Sequence, residues 1–414
     1  MEEGLRHSCR LCGSALSRTF VDLGVTPLAN AYLEESDLAT GETFYPLRVF
    51  VCDDCLLVQL PVHAAPETIF DEYAYFSSYS DSWVEHARRY VEGTVERFGL
   101  GDPSRVVEIA SNDGYLLQFF VERGITATGI EPSANVAAAA AARGIPTIVD
   151  FFGKTLADRI VGEQGPADLV VGNNVLAHVP DLHDFVAGIH DLLAPAGVVT
   201  MEFPHVLRLI AEKQFDTIYH EHFSYLSLHA VERLFGEHDL RLFDVDELST
   251  HGGSLRIYAC HAEAGQQGES DSLAAVRLAE REAALDRVAG YDGFEQAVRK
   301  VKRDLLSFLL DAKREGKSIV GYGAAAKGNT LLNYCGIRSD FLDYVVDRSP
   351  HKQGCFLPGT HLEVHPPDEI RRTRPDLILV LSWNLADEIA EQMRDVRDWG
   401  CRLVVPIPEV RVLD

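Results

Sequence analysis

A chain of 414 residues, 46% apolar and 24% charged, can bury the cores of two or three domains. Its formal net charge of -25 argues against a nucleic-acid or anionic-membrane partner, since both need a basic footprint. No apolar run is long enough to span a bilayer, and Met1–Arg6 has no apolar signal core, so the cytoplasm is the expected location.

Residues 1–75 carry short strand-like pieces and two Cys-x-x-Cys pairs, Cys9 with Cys12 and Cys52 with Cys55. Doubled pairs about forty residues apart fit a closed four-thiolate zinc site. A closed set leaves no open coordination position, so the zinc is expected to be structural. An aromatic, serine-rich segment containing Tyr73 and Tyr75 leads from this unit into a helix ending near Phe98.

Strands are expected near 105–109, 126–130, 146–149, 168–172 and 196–203, separated by helices such as 134–143 and 181–193. Strands alternating with helices predict a mostly parallel sheet covered on both faces, the Rossmann-like α/β class. An antiparallel pair near 241–246 and 254–260 closes it, so this unit is taken as 76–262. Its first turn, Glu108-Ile-Ala-Ser-Asn-Asp-Gly114, resembles the Glu-x-Gly-x-Gly-x-Gly loop that holds S-adenosylmethionine. Ala110 and Asn112 stand where two of the three glycines would be. Glu131, at the end of the second strand, is placed to accept ribose hydroxyls. Asp150 and Phe151 follow the third strand, where they would frame an adenine, and Asn173 ends the fourth. An NAD-type domain with a degraded fingerprint is the competing reading, and the antiparallel final pair disfavours it.

The block Tyr219-His-Glu-His-Phe-Ser-Tyr225 is dense in titratable groups. It lacks His-Glu-x-x-His spacing and a third ligand, so it reads as acid–base equipment rather than a metal site, together with His178 and His251 at other strand ends. In extended backbone His220 and His222 would share a face.

Residues 271–316 are charged, alanine-rich and helix-periodic, and read as a solvated helical connector. Beyond them, strands near 318–322, 342–346, 376–381 and 402–405 form a second, smaller Rossmann-like unit, taken as 263–414. Its turn, Gly321-Tyr-Gly-Ala-Ala-Ala-Lys327-Gly-Asn329, is a relaxed G-x-G motif whose Lys327 suits a diphosphate. Asp347 sits where a carboxylate meets a ribose, and Ser382-Trp-Asn384, at the end of a later strand, is a third candidate wall. With His251 and Tyr322 these are the candidate substrate contacts. An independent NAD site is the alternative.

Taken together, the cysteine pairs, Pro27-Leu-Ala-Asn30, Glu108–Gly114, Asn173–His178, Tyr219–Tyr225, His251-Gly-Gly-Ser-Leu-Arg256 and Gly321–Asn329 resemble the sugar C-methyltransferase family over nearly the whole chain. That family acts on nucleotide-linked 4-ketosugars in deoxysugar and antibiotic-sugar pathways, and its best-matching members methylate carbon 3. The resemblance implies a zinc-bearing N-terminal domain, a central methyl-donor domain and a C-terminal nucleotide-sugar domain. It makes His222 the base and Glu221 its tuner. Tyr219 becomes a sugar contact, His178 an enolate donor or alternative base, and Tyr73 or Tyr75 a cover over the sugar. The implied ligands are S-adenosylmethionine and a small-molecule nucleotide sugar. A monomer suffices, since three domains supply the whole site. The non-catalytic alternative is a zinc-bearing nucleotide-sugar-binding module.

Overall fold

The computed structural model describes residues 7–70, 76–265 and 267–413. Tyr73 and Tyr75 lie outside the described residues. In chain order the strands are β1 (Arg18–Thr26), β2 (Tyr45–Val51), β3 (Val58–Gln59), β4 (Arg105–Ile109), β5 (Thr126–Ile130), β6 (Thr147–Ile148), β7 (Ala167–Asn173), β8 (Leu193–Pro204), β9 (Ser224–Tyr225), β10 (Leu240–Leu248) and β11 (Ser254–His261). They continue as β12 (Ile319–Tyr322), β13 (Val345–Val346), β14 (Val364–His365), β15 (Leu377–Val380), β16 (Arg402–Val405) and β17 (Arg411–Leu413).

The central sheet runs β10-β11-β8-β7-β4-β5-β6. Its pairs are parallel except that β11 is antiparallel to both β8 and β10. The expected antiparallel pair is present, with the last strand inserted between its two neighbours. Near-continuous apolar runs such as Val106-Val107 and Leu169-Val170-Val171 are buried, as strands covered on both faces must be. One covering helix, Leu182–Leu192, is capped by Asp181, whose carboxylate accepts the Asp184 N–H at 3.0 Å. It buries Leu182, Phe185, Val186, Ile189 and Leu192 at helical spacing.

The C-terminal sheet runs β14-β13-β12-β15-β16-β17 and is parallel up to β16, with β17 reversed. In both large sheets the strand order reverses beside the strand that carries a glycine-type turn, β4 in one and β12 in the other. Crevices open at such switch points, off the carboxyl ends of the strands. Both turns therefore stand where ligands bind in open α/β sheets.

The N-terminal sheet is antiparallel, β1-β2-β3-β9. Its last strand comes from the histidine block, which was expected wholly within the methyl-donor unit. The block bridges two units: Phe223 donates its N–H to Ala177 O at 2.8 Å, and Leu60 donates to Phe223 O at 2.9 Å.

Residues 271–316 are not a solvated connector. Helix Asp271–Glu282 buries Leu273, Val276 and Glu280, and helix Phe294–Arg314 buries Phe294, Val298, Val301, Leu305 and Leu309. Phe294 stacks on Phe20 at 4.5 Å between ring centroids. One hydrophobic core thus joins the N-terminal sheet, this helix and the C-terminal sheet. Among the described residues no helix is long and apolar enough to cross a membrane.

Candidate active site

The turn after β4 has a glycine-like backbone without the glycines. Ala110 and Asn112 hold φ of +57° and +50°, and Gly114 +76°. A Cβ at Gly114 would come within 2.8 Å of Ile145 Cγ1, so glycine is required there by space as well as by conformation. Glu131 accepts the backbone N–H groups of Asn112 at 3.0 Å and Ser133 at 2.9 Å. Glu108 is buried, and among the described residues its Oε2 has no hydrogen-bond partner; the same holds for Asn173 Oδ1. Burial, with Glu131 and Asp113 nearby, pushes the Glu108 carboxyl well above the usual carboxylate range. Burial also raises Glu131. Three acidic groups converging on one turn suit a cationic ligand. The ammonium and sulfonium of S-adenosylmethionine meet that need. Asp150 is exposed and bonds Arg159 at 3.2 Å, while Phe151 is exposed beside it.

The histidine block is a turn, closed by the His222 N–H donating to Tyr219 O at 2.9 Å. His220 and His222 therefore do not share a face, contrary to the extended-backbone reading. His220 is buried toward the N-terminal sheet, with its Nε2–H donating to Pro46 O at 3.1 Å. His222 has a fixed tautomer. Its Nδ1 lies 2.8 Å from Thr217 O, which can only accept, so Nδ1 carries the proton. Nε2 of the neutral ring is then an acceptor, taking the Tyr219 hydroxyl at 2.9 Å. His178, at the end of the turn Leu176–His178, meets the His222 ring edge-on at 4.7 Å and bonds the Glu221 backbone. Burial, His178 and Lys327 keep His222 well below the usual histidine range, and burial brings His178 to about 4. Both rings are neutral at physiological pH. The Glu221 carboxylate is buried and accepts the Asn30 amide at 2.6 Å.

From the second turn, Lys327 reaches the same place. Its Nζ lies 3.3 Å from His251 O and 3.4 Å from Asn384 Oδ1, over the Trp383 ring at 5.1 Å from the centroid. His251, at φ +54°, accepts the Asn174 amide on Nε2 at 3.2 Å and meets Trp83 edge-on at 5.1 Å. Burial and Lys327 bring His251 down to about 4. Asp347 holds the turn itself, accepting the N–H of Ala324 and of Ser349, each at 2.8 Å. Tyr322 bonds Gln392 at 3.2 Å, and among the described residues no contact of the Lys327 cluster runs through it. The structure therefore gathers His178, Glu221, Tyr219, His222, His251, Lys327 and Asn384.

Sequence reading missed the groups that support this cluster. Asn30 carried a signal only as part of a motif. Behind His251, the fully buried Glu202 accepts Thr250 Oγ1 and Arg256 at 2.8 Å and pairs with His86 at 3.0 Å. Burial alone would raise its carboxyl, but His86 and Arg256 hold it at about 2. Asp216 also went unread; it is buried, and nothing in its local sequence marks it.

At the far end, the Sγ atoms of Cys9, Cys12, Cys52 and Cys55 lie within 4.8 Å of one another, and the closest pairs are 3.4 and 3.5 Å apart. A tetrahedral zinc with bonds of about 2.3 Å sets sulfurs about 3.8 Å apart, so the four thiols fit the ion.

Family models match three consecutive stretches: a zinc binding domain at residues 9–70, a methyltransferase domain at 83–245 and a C-methyltransferase C-terminal domain at 249–408. C-methyltransferase NovU of Streptomyces niveus is 37% identical over 405 residues, 98% of this chain and 96% of that protein. Magnesium protoporphyrin IX methyltransferase of Synechocystis PCC 6803 aligns at a TM-score of 0.36 with 15% identity, over 49% of this chain and 100% of that one. An S-adenosylmethionine-dependent methyltransferase of Clostridium acetobutylicum ATCC 824 aligns at 0.35 with 9% identity, over 45% of this chain and 92% of that one.

Proposed function

The chain belongs to the C-methyltransferase family, and on that premise we propose that its acceptor is the carbon beside the 4-keto group of a nucleoside-diphosphate deoxysugar, with thymidine as the nucleoside. It is an S-adenosylmethionine-dependent C-methyltransferase with a zinc-binding N-terminal domain. The observation that carries the proposal is the neutral, tautomer-locked His222 beside His178, with Lys327 facing His222 from the second turn.

A carbon next to a ketone yields its proton to a positioned base, because the electron pair moves onto the ketone oxygen. His222 Nε2 takes that proton, while Thr217 O holds Nδ1–H and stabilises the imidazolium that forms. Tyr219 turns its hydroxyl from Nε2 to the sugar. His178 turns its one N–H from the Glu221 carbonyl to the enolate oxygen, and the Glu221 carboxylate, held by Asn30, balances the new charge on His222. S-adenosylmethionine supplies the electrophilic methyl group. Glu108, Asn173 and Glu131 align it with the enolate carbon. Lys327 with Asn384 binds the diphosphate, and Asp347 supports the turn beside it.

His222→Ala should lower kcat by about 10²–10⁴-fold and leave S-adenosylhomocysteine affinity, read by calorimetry, unchanged. Equal loss of donor affinity overturns the base assignment. Failure of the wild type to bind thymidine diphosphate overturns the nucleotide-sugar reading. The product NMR spectrum reports whether carbon 3 or carbon 5 carries the new methyl.

A further inference from the structure

Asp216 is a fully buried carboxylate in the turn Phe215–Thr217, with no part in the steps above. Its Oδ2 accepts the Trp383 indole N–H at 2.6 Å, and Oδ1 has no hydrogen-bond partner among the described residues. The backbone N–H groups of Asp216 and Thr217 also favour its charge, but these donors are all neutral, and a buried carboxylate held by neutral donors needs a balancing cation. Lys327 stands over the face of the same indole, 5.1 Å from its centroid. Trp383 thus gives its edge to the anion and its face to the cation. A carboxylate on the N–H pushes electron density into the ring and strengthens its hold on the ammonium.

The other titratable groups facing this pair are His222, His251 and Cys335. Burial keeps both histidines neutral and pushes the Cys335 thiol up to about 12, so none of them supplies the missing negative charge. Burial works against the charge on Lys327, and Asp216 works for it; burial brings Asp216 up to about 6, still ionised at neutral pH.

We propose that Asp216 is a positioning residue for the substrate anion: it fixes the Trp383 indole by its edge and balances Lys327 across the ring, keeping the ammonium charged where the diphosphate binds. This inference rests on the reading of Lys327 as the diphosphate contact.

The test is Asp216→Asn, which keeps the shape and an acceptor for the indole N–H but removes the charge. Thymidine diphosphate binding is followed by calorimetry above about pH 7.5, beyond the second phosphate ionisation. Wild-type affinity falls along an alkaline limb as Lys327 loses its proton. In D216N that limb moves down by about one pH unit, and S-adenosylhomocysteine binding is unchanged. At the low end of the range D216N binds as tightly as wild type or tighter, since an anion near the diphosphate has gone. In Lys327→Arg the limb disappears, because guanidinium does not titrate in this range. An unmoved limb in D216N, a uniform loss at every pH, or a limb that survives K327R overturns the proposal. If wild type binds no thymidine diphosphate, the substrate reading fails instead. The Asp216–Lys327 coupling is then read from the pH titration of the Lys327 ¹⁵Nζ resonance, where equal midpoints in wild type and D216N overturn it.

Discussion

Ala110 and Asn112 differ in how their left-handed backbone is supported. The Asn112 side-chain oxygen accepts the Ser77 N–H at 2.8 Å, and asparagine tolerates this conformation. Ala110 has no such compensation. An L-residue in this region costs about 1–2 kcal/mol, whereas glycine adds about 0.5–1 kcal/mol of unfolded-state entropy. The strain outweighs the entropy, so Ala110→Gly should raise stability by about 0.5–1 kcal/mol, visible as a higher melting temperature with S-adenosylhomocysteine bound. A lower melting temperature would mean that packing of the Ala110 methyl outweighs the strain. The two replaced glycines look like a weakened fingerprint in sequence, because letters report side chains and the ligand turn is a property of φ. Asp216 was illegible for another reason: it meets Trp383 across 167 positions and sits in no motif.

Among the elements, strand and helix alternation was legible from 105 to 204 because a parallel sheet buries whole apolar runs. The helix Asp271–Glu282 was misread. Its charged and alanine positions are mostly exposed, and they drown a narrow buried stripe of Leu273, Val276 and Glu280. A glutamate in such a stripe looks like solvated surface. Here Glu280 pairs with His205 at 2.7 Å and accepts the N–H groups of Leu228 at 2.5 Å and His229 at 3.0 Å. It caps helix Leu228–Gly236 and ties the chain after β8 to the same point. Removing one partner of a buried pair leaves an uncompensated group and costs about 3–5 kcal/mol. Glu280→Ala should therefore lower denaturant stability by that amount, whereas Glu282→Ala, one step beyond the stripe, should change it by less than about 0.5 kcal/mol. Equal effects of the two would restore the solvated-connector reading.

At the scale of the molecule, the zinc ligands were the most legible feature, because ligand chemistry is written in spacing. The assembly they support was not, because its contacts join segments 191 to 300 residues apart. The chain between the cysteine pairs carries Asn30 to Glu221, Tyr32 to Ala324 O at 2.5 Å, and Ala29 O to the Asn329 amide at 2.6 Å. It thus touches both the histidine block and the turn after β12. The Cys9–Cys12 loop is fastened to the central unit by His183, whose Nε2–H donates to Leu11 O at 2.7 Å. The donor turn, by contrast, rests on the central sheet. Zinc removal should accordingly separate the two ligands. Losing the hydrogen bond to the Glu221 carboxylate is worth about 1.5–3 kcal/mol, or about a tenfold to hundredfold fall in kcat/KM for the methyl acceptor. S-adenosylhomocysteine affinity should hold within about twofold, the scatter expected for a site that keeps its own contacts. Chelation with a colorimetric readout of released zinc, followed by calorimetry on the same sample, measures both. If kcat/KM survives complete zinc loss, the shared core around Phe20 and Phe294 holds the Asn30 segment unaided. If donor affinity falls in step, the N-terminal unit supports the central sheet as a whole rather than the acceptor side alone.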